Sequence, residues 1–121
     1  MTKLSIVMYH YVRNLRHNRY PEIKGLDSDL FKEQISYLKK HYNPVSAYDV
    51  MDAQDGGEQL PPKAVLLTFD DGYIDHFNEV YPVLDKNGMS GCFFPPAKCI
   101  QENLVLDVNK IHFIMASVPD K

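Results

Sequence analysis

The sequence predicts an α/β fold with parallel strands, and three observations lead there. Two apolar runs, Leu4 to Tyr9 and Ala64 to Phe69, are continuous rather than alternating, the pattern of strands covered on both faces. Between and after them lie segments whose apolar residues recur at helical spacing. Strand and helix patterns then take turns along the chain, which implies parallel strands joined by helical crossovers, in an open sheet or one curled into a barrel.

Leu4 to Tyr9 reads as the first strand. A long polar connection follows over residues 10–25 and carries Arg13, Arg16, His17, Arg19 and Lys24. Its basic residues read as a solvated loop, with contact to an anionic glycan or a lipid-linked sugar phosphate as the alternative. Phe31, Ile35, Leu38 and Tyr42 form one stripe at i, i+4, i+7 and i+11, which predicts a helix. Asp27 or Ser28 caps its start, Asp29 sits in its first turn, and Lys39, Lys40 and His41 sit in its last. Pro44 opens a short extended piece, and Ser46 with Asp49 has capping-box spacing for a second helix that stops at Gly56-Gly57.

The run Ala64 to Phe69 is the next strand. After Asp70-Asp71-Gly72, the residues Ile74, Phe77, Tyr81 and Leu84 predict a helix with one shared apolar face. Pro82 interrupts it and Gly88 ends it. Met89 to Phe94 reads as a further strand closed by Pro95-Pro96, and Val108, Ile111 and Met115 suggest a last helix.

Composition narrows the function. The chain has 121 residues, enough for one domain, with 13 Lys+Arg against 16 Asp+Glu and a net charge of −3. That balance argues against nucleic acid as a partner, since phosphate binding favours basic surfaces. No apolar run approaches the ~20 residues needed to cross a bilayer. Ser5 to Met8 is too short for the core of a signal peptide, so the sequence predicts a cytoplasmic location. Cys92 and Cys99 have no zinc-like spacing and read as free thiols. Nothing in the sequence speaks to oligomeric state.

In parallel α/β folds the reactive rim is where strands end and helices begin. His10 directly follows the first strand, and Asp70 and Asp71 directly follow the second long run. Gly72 permits a sharp turn after them. Adjacent carboxylates at a strand exit are expected to point different ways, so that one holds a cation while the other accepts a proton. The plainer reading is a turn with a capping Asp. The buried run that aims the pair at the rim favours the chemical one.

Thr68-Phe69-Asp70-Asp71-Gly72-Tyr73 resembles the first motif of the NodB-type polysaccharide deacetylases, carbohydrate esterase family 4. Met8-Tyr9-His10, the helix Asp27 to Tyr42, Pro44-Val45-Ser46 and Phe93-Phe94-Pro95 resemble one branch of that family in order and position. The resemblance implies that residues 1–121 form a single domain, the N-terminal portion of an irregular (β/α) barrel that lacks its C-terminal half. It implies a hydrolase removing acetyl groups from a sugar or polysaccharide with a bound divalent metal, zinc being expected. By resemblance Asp70 is the general base and Asp71 the metal-binding carboxylate, while Thr68 and Gly72 support the turn. Tyr9, His10 and Tyr73 are site-wall residues or possible ligands.

The chemistry suits the residue types. A zinc-like ion acidifies bound water and polarises the carbonyl, and a nearby carboxylate takes the proton. The sequence departs from the family in its later motifs, the arginine and leucine-histidine ones being missing and the histidine pair with them. The family completes its metal site with two histidines three residues apart, whereas the five here stand at 10, 17, 41, 76 and 112. The chain is therefore expected to be weakly active or inactive alone, and the alternative is a non-catalytic carbohydrate-binding remnant of the same fold. His76 is expected on the surface and His112 in a structural role. A phosphoacceptor receiver domain is disfavoured, because its acidic pair follows the first strand.

Overall fold

The computed structural model describes residues 3–118. β1 (Leu4–Tyr9) pairs in parallel with β5 (Ala64–Asp70), with Leu4 opposite Ala64 and Tyr9 opposite Phe69. The other side of β5 is shared. β4 (Asn43–Pro44) pairs with its start, and β6 (Cys92–Phe94) pairs with its end, both in parallel. A second, two-stranded parallel ladder joins β2 (Val12–Arg13) to β3 (Leu26–Asp27). The α/β, parallel-stranded expectation is borne out.

β5 is the axis of the molecule. Ala64 to Phe69 are all buried, so both faces of the strand are covered. One face, Val65, Leu67 and Phe69, joins Tyr9, Val12, Phe31, Ile35, Leu38, Val80, Leu84 and Met89 in the main core. The other face, Ala64 and Leu66, packs with Val45 against Leu4, Ala47, Val50 and Leu60. β1 does not share that coverage. Ile6 and Met8 are each 60% exposed: among the described residues β1 has only β5 beside it, and nothing covers its second face. The expectation of a strand buried on both faces is corrected for β1.

α1 (Ser28–His41) buries Phe31, Ile35 and Leu38 as the stripe predicts, and the Asp27 side chain accepts from the Asp29 amide at its start. α2 (Ala47–Gln54) opens on a complete Ser46–Asp49 capping box. Burying Phe31, Ile35 and Leu38 of α1 contributes roughly 1.5–3 kcal/mol each, before cavity effects are considered. The helix-like run after Gly72 behaves differently. A π-helical turn (His76–Val80) leads into α3 (Tyr81–Asn87), which ends on Gly88 in the left-handed conformation. The wider turn lags the rotation of a regular helix, so the expected stripe splits. Ile74, Phe77 and Tyr81 are exposed, whereas Asp75, His76, Val80 and Leu84 are buried.

α4 (Ala97–Gln101) and α5 (Asp107–Ser117) complete the described residues. α5 is also rotated from its expected face. Val108, Ile111 and Met115 face solvent, and Asn109 and Ala116 are buried. The reason is its neighbour: α5 packs on the polar-edged aromatic cluster of Tyr11, Tyr20 and Tyr73 rather than on the sheet. No helix among the described residues is long and apolar enough to cross a membrane.

Candidate active site

β5 carries Asp70 to the end of the sheet, and the backbone then turns at once. Asp71 has φ 74° and Gly72 φ 61°, both in the left-handed region that side chains other than Asn, Asp and Gly rarely enter. Gly72 is required twice over. Besides the positive φ, a Cβ there would lie 2.7 Å from Pro95 Cβ and 2.9 Å from Pro95 Cα. The Asp71 amide closes the turn by donating to the Phe94 carbonyl at 3.2 Å.

This turn changes where the carboxylates go. In an extended strand adjacent side chains alternate between faces, which is why they were expected to diverge. The left-handed Asp71 undoes the alternation. Asp70 Oδ2 and Asp71 Oδ2 both lie 3.9 Å from His10 Nε2, and the two acids keep about 30% of their side-chain surface exposed (31% and 29%). Both acids therefore reach the same nitrogen of the half-exposed His10 at the strand ends, and both stay partly open to solvent. Thr68, two residues earlier, is buried, in register with Met8 on one side and Cys92 on the other.

Two tyrosines expected at the site divide. Tyr73 is there: its hydroxyl donates to Asp71 Oδ2 at 2.9 Å. Burial, followed by hydrogen bonding with Tyr11 and Asp71, holds its pKa well above the usual phenol range, so it remains a donor. Tyr9 lies in the core beneath. Its ring stacks on Phe69 at 5.1 Å, meets Phe31 edge-on, and its hydroxyl donates to Gln34. Burial raises its pKa to about 12.

Several residues read as peripheral pack beside the acid pair and His10. His76, expected on the surface, is 4% exposed and its Nε2–H donates to the His10 carbonyl at 2.8 Å. The carbonyl only accepts, so the proton is on Nε2 and the buried Nδ1 is left without a partner among the described residues. Arg13, expected in a solvated loop, is an almost buried cation. Its Nε is 2.6 Å from Asp75 Oδ2, and its guanidinium lies 4.6 Å from the centre of the Tyr11 ring. The π-turn explains both, since it brings Asp75 and His76 inward. Sequence spacing at 3.6 residues per turn carried no sign of either.

The residue that sequence reasoning missed altogether is Asn109 on α5. Its side-chain amide donates to Tyr73 Oη at 2.7 Å and to Tyr11 Oη at 3.0 Å. Tyr11 Oη in turn meets His112 Nδ1 at 3.2 Å, a structural contact for His112 as expected. A polar residue at a buried helical position is the only signal that could have flagged Asn109, and it needed the correct helix phase.

The fit to a metal ion is incomplete. Among the described residues, no group of three or more His, Cys, Asp or Glu side chains is arranged to hold one. Asp71, with one oxygen already accepting from Tyr73, and the neighbouring His10 fall short of the four-donor sets typical of zinc.

Comparison with known proteins shows what this arrangement resembles. The model of the family described as polysaccharide deacetylase matches residues 57–116, which include the acid pair and its turn. A 54-residue stretch is 46% identical to the poly-beta-1,6-N-acetyl-D-glucosamine N-deacetylase of Escherichia coli (strain K12), covering 44% of this chain and 8% of that protein. The Bacillus subtilis (strain 168) protein YxkH is 31% identical over 99 residues, 81% of this chain and 33% of its own length. A solved de-N-acetylase from Aggregatibacter actinomycetemcomitans superposes with a TM-score of 0.72 at 30% identity, covering 85% of this chain and 42% of that one. The matched region thus spans less than half the length of each of these relatives.

Proposed function

The chain belongs to the polysaccharide deacetylase family, and on that premise we propose that it provides the acid pair of a hydrolase that removes acetyl groups from a carbohydrate, as one partial deacetylase domain. The observation that carries this reading is the approach of Asp70 Oδ2 and Asp71 Oδ2 to the same nitrogen of His10, at 3.9 Å each, with both acids partly open to solvent. Hydrolysis of an acetamide adds water to the carbonyl carbon, breaks the carbon–nitrogen bond and passes a proton to the departing amine. Asp70, at the end of the rigid central strand, is the base that takes the proton from the attacking water. Asp71, oriented by Tyr73, is the carboxylate offered to a divalent cation, zinc in this reading. The substrate is an acetylated amino-sugar polymer, the class named for the Escherichia coli relative.

A second reading has its own support. With no three-donor cluster among the described residues, a carboxylate alone holds an ion weakly. The 121 residues by themselves would then bind sugar without turnover.

Acetate release from N-acetylglucosamine oligomers, with and without added Zn²⁺, tests the hydrolase reading, which robust release by the 121-residue chain would extend to that chain itself. The 121-residue chain is expected to release little acetate. In a version carrying a complete deacetylase domain, Asp70→Ala should lower turnover by about 10²–10⁴-fold and leave metal uptake intact, whereas Asp71→Ala should weaken metal uptake. Parental turnover in the Asp70 variant, or parental metal uptake in the Asp71 variant, would overturn the assigned roles.

A further inference from the structure

Asn109 is 6% exposed and sits on a helix whose other apolar residues largely face solvent. Burial of a primary amide at such a position is costly unless its groups are paired. Its amide nitrogen has two hydrogens, and both are used: one on Tyr73 Oη and one on Tyr11 Oη. The direction of the next bond follows. Tyr73 Oη accepts from Asn109, so its own proton is free to go to Asp71 Oδ2, which as a carboxylate oxygen can only accept. Tyr11 Oη accepts from Asn109 and meets His112 Nδ1 in a bond whose direction follows the His112 tautomer. The two tyrosine rings are stacked at 4.2 Å and 16°, so the two hydroxyls are held side by side beneath one amide.

We propose that Asn109 is a positioning residue for the acid pair, acting through Tyr73 to hold the Asp71 carboxylate in one rotamer. Chains of hydrogen bonds whose members each have one possible direction orient their terminal acceptor. Asp71 needs such a restraint, because it stands in a left-handed turn with nearly a third of its side chain open to water. The proposal deepens the deacetylase reading, which is what gives a fixed Asp71 its use. Its geometry stands independently of that reading.

The test is the pair of Hα–Hβ couplings of Asp71, measured by NMR on the 121-residue chain. In the parent they should have the values of one staggered rotamer, each either fully anti or fully gauche. In Tyr73→Phe, which keeps the stacked ring and removes the donor, and in Asn109→Leu, which keeps the volume and removes the amide, they should move to intermediate values through averaging. The double variant should show no further change, because the two residues act in series. Parental couplings in the Tyr73 variant overturn the proposal. Should Asn109→Leu fold with parental couplings and only a lower melting temperature, Asn109 merely packs α5, and the proposal is likewise overturned. If Asn109→Leu does not fold, Asn109→Gln displaces the amide by one methylene, and parental couplings there overturn the proposal. Acetate release has no part in this measurement, so failure of the deacetylase reading and failure of the positioning are read separately.

Discussion

α1 and the segment that follows the acid pair begin from the same kind of sequence and end differently. Each has a four-residue apolar stripe. In α1 the stripe is buried where its regular helix meets β5 and Tyr9. After Gly72, the stripe residues Ile74, Phe77 and Tyr81 are exposed, Phe77 and Tyr81 stacking on each other in solvent. The buried positions there are Val80 and Leu84 together with Asp75 and His76, and the two polar ones hold Arg13 and the His10 carbonyl. The π-turn is thus a local departure from good helix patterning beside the candidate site, which is where such departures concentrate.

Three substitutions sharpen this contrast or break it, checked by chemical denaturation with an unchanged slope. The largest effect belongs to α1. Phe31→Ala empties a fully buried aromatic position between Tyr9 and Phe69 and should cost about 3–5 kcal/mol. Next is Asp75→Ala, which leaves the Arg13 guanidinium without its carboxylate at a site where both side chains are near 12% exposed (12% and 11%). Removing one partner of a buried pair should cost about 3 kcal/mol, and a neutral outcome would mean that the inward-facing acid is unimportant to the π-turn. Smallest is Phe77→Ser, at a residue 69% exposed, which should stay within about 0.5 kcal/mol of the parent. A loss there matching that of Phe31→Ala would show that the two stripes are equivalent after all, and that Phe77 is covered in solution.

The contrast also separates what could be read early from what could not. Capping by Asp27 and by Ser46 with Asp49, the stop at Gly88, and the buried β5 run were all legible, because each is decided by neighbours within a few residues. The acid pair was legible as a motif, and its tight turn through Gly72 as a need for glycine. The convergence of the carboxylates was not. It depends on Asp71 adopting a positive φ, which the closing bond to Phe94 and the approach of Pro95 enforce from a later strand.

By itself, then, the sequence determined the parallel α/β plan, the helix ends and the presence of two acids at a strand exit, since periodicity and local hydrogen bonding are short-range. Tertiary structure alone decided which faces are covered and which side chains meet. Asn109 reaches Tyr73 across 36 positions, and His76 reaches the His10 carbonyl across 66. Such bonds form because packing brings distant segments together and buried polar groups must then find partners, a requirement that no local pattern encodes.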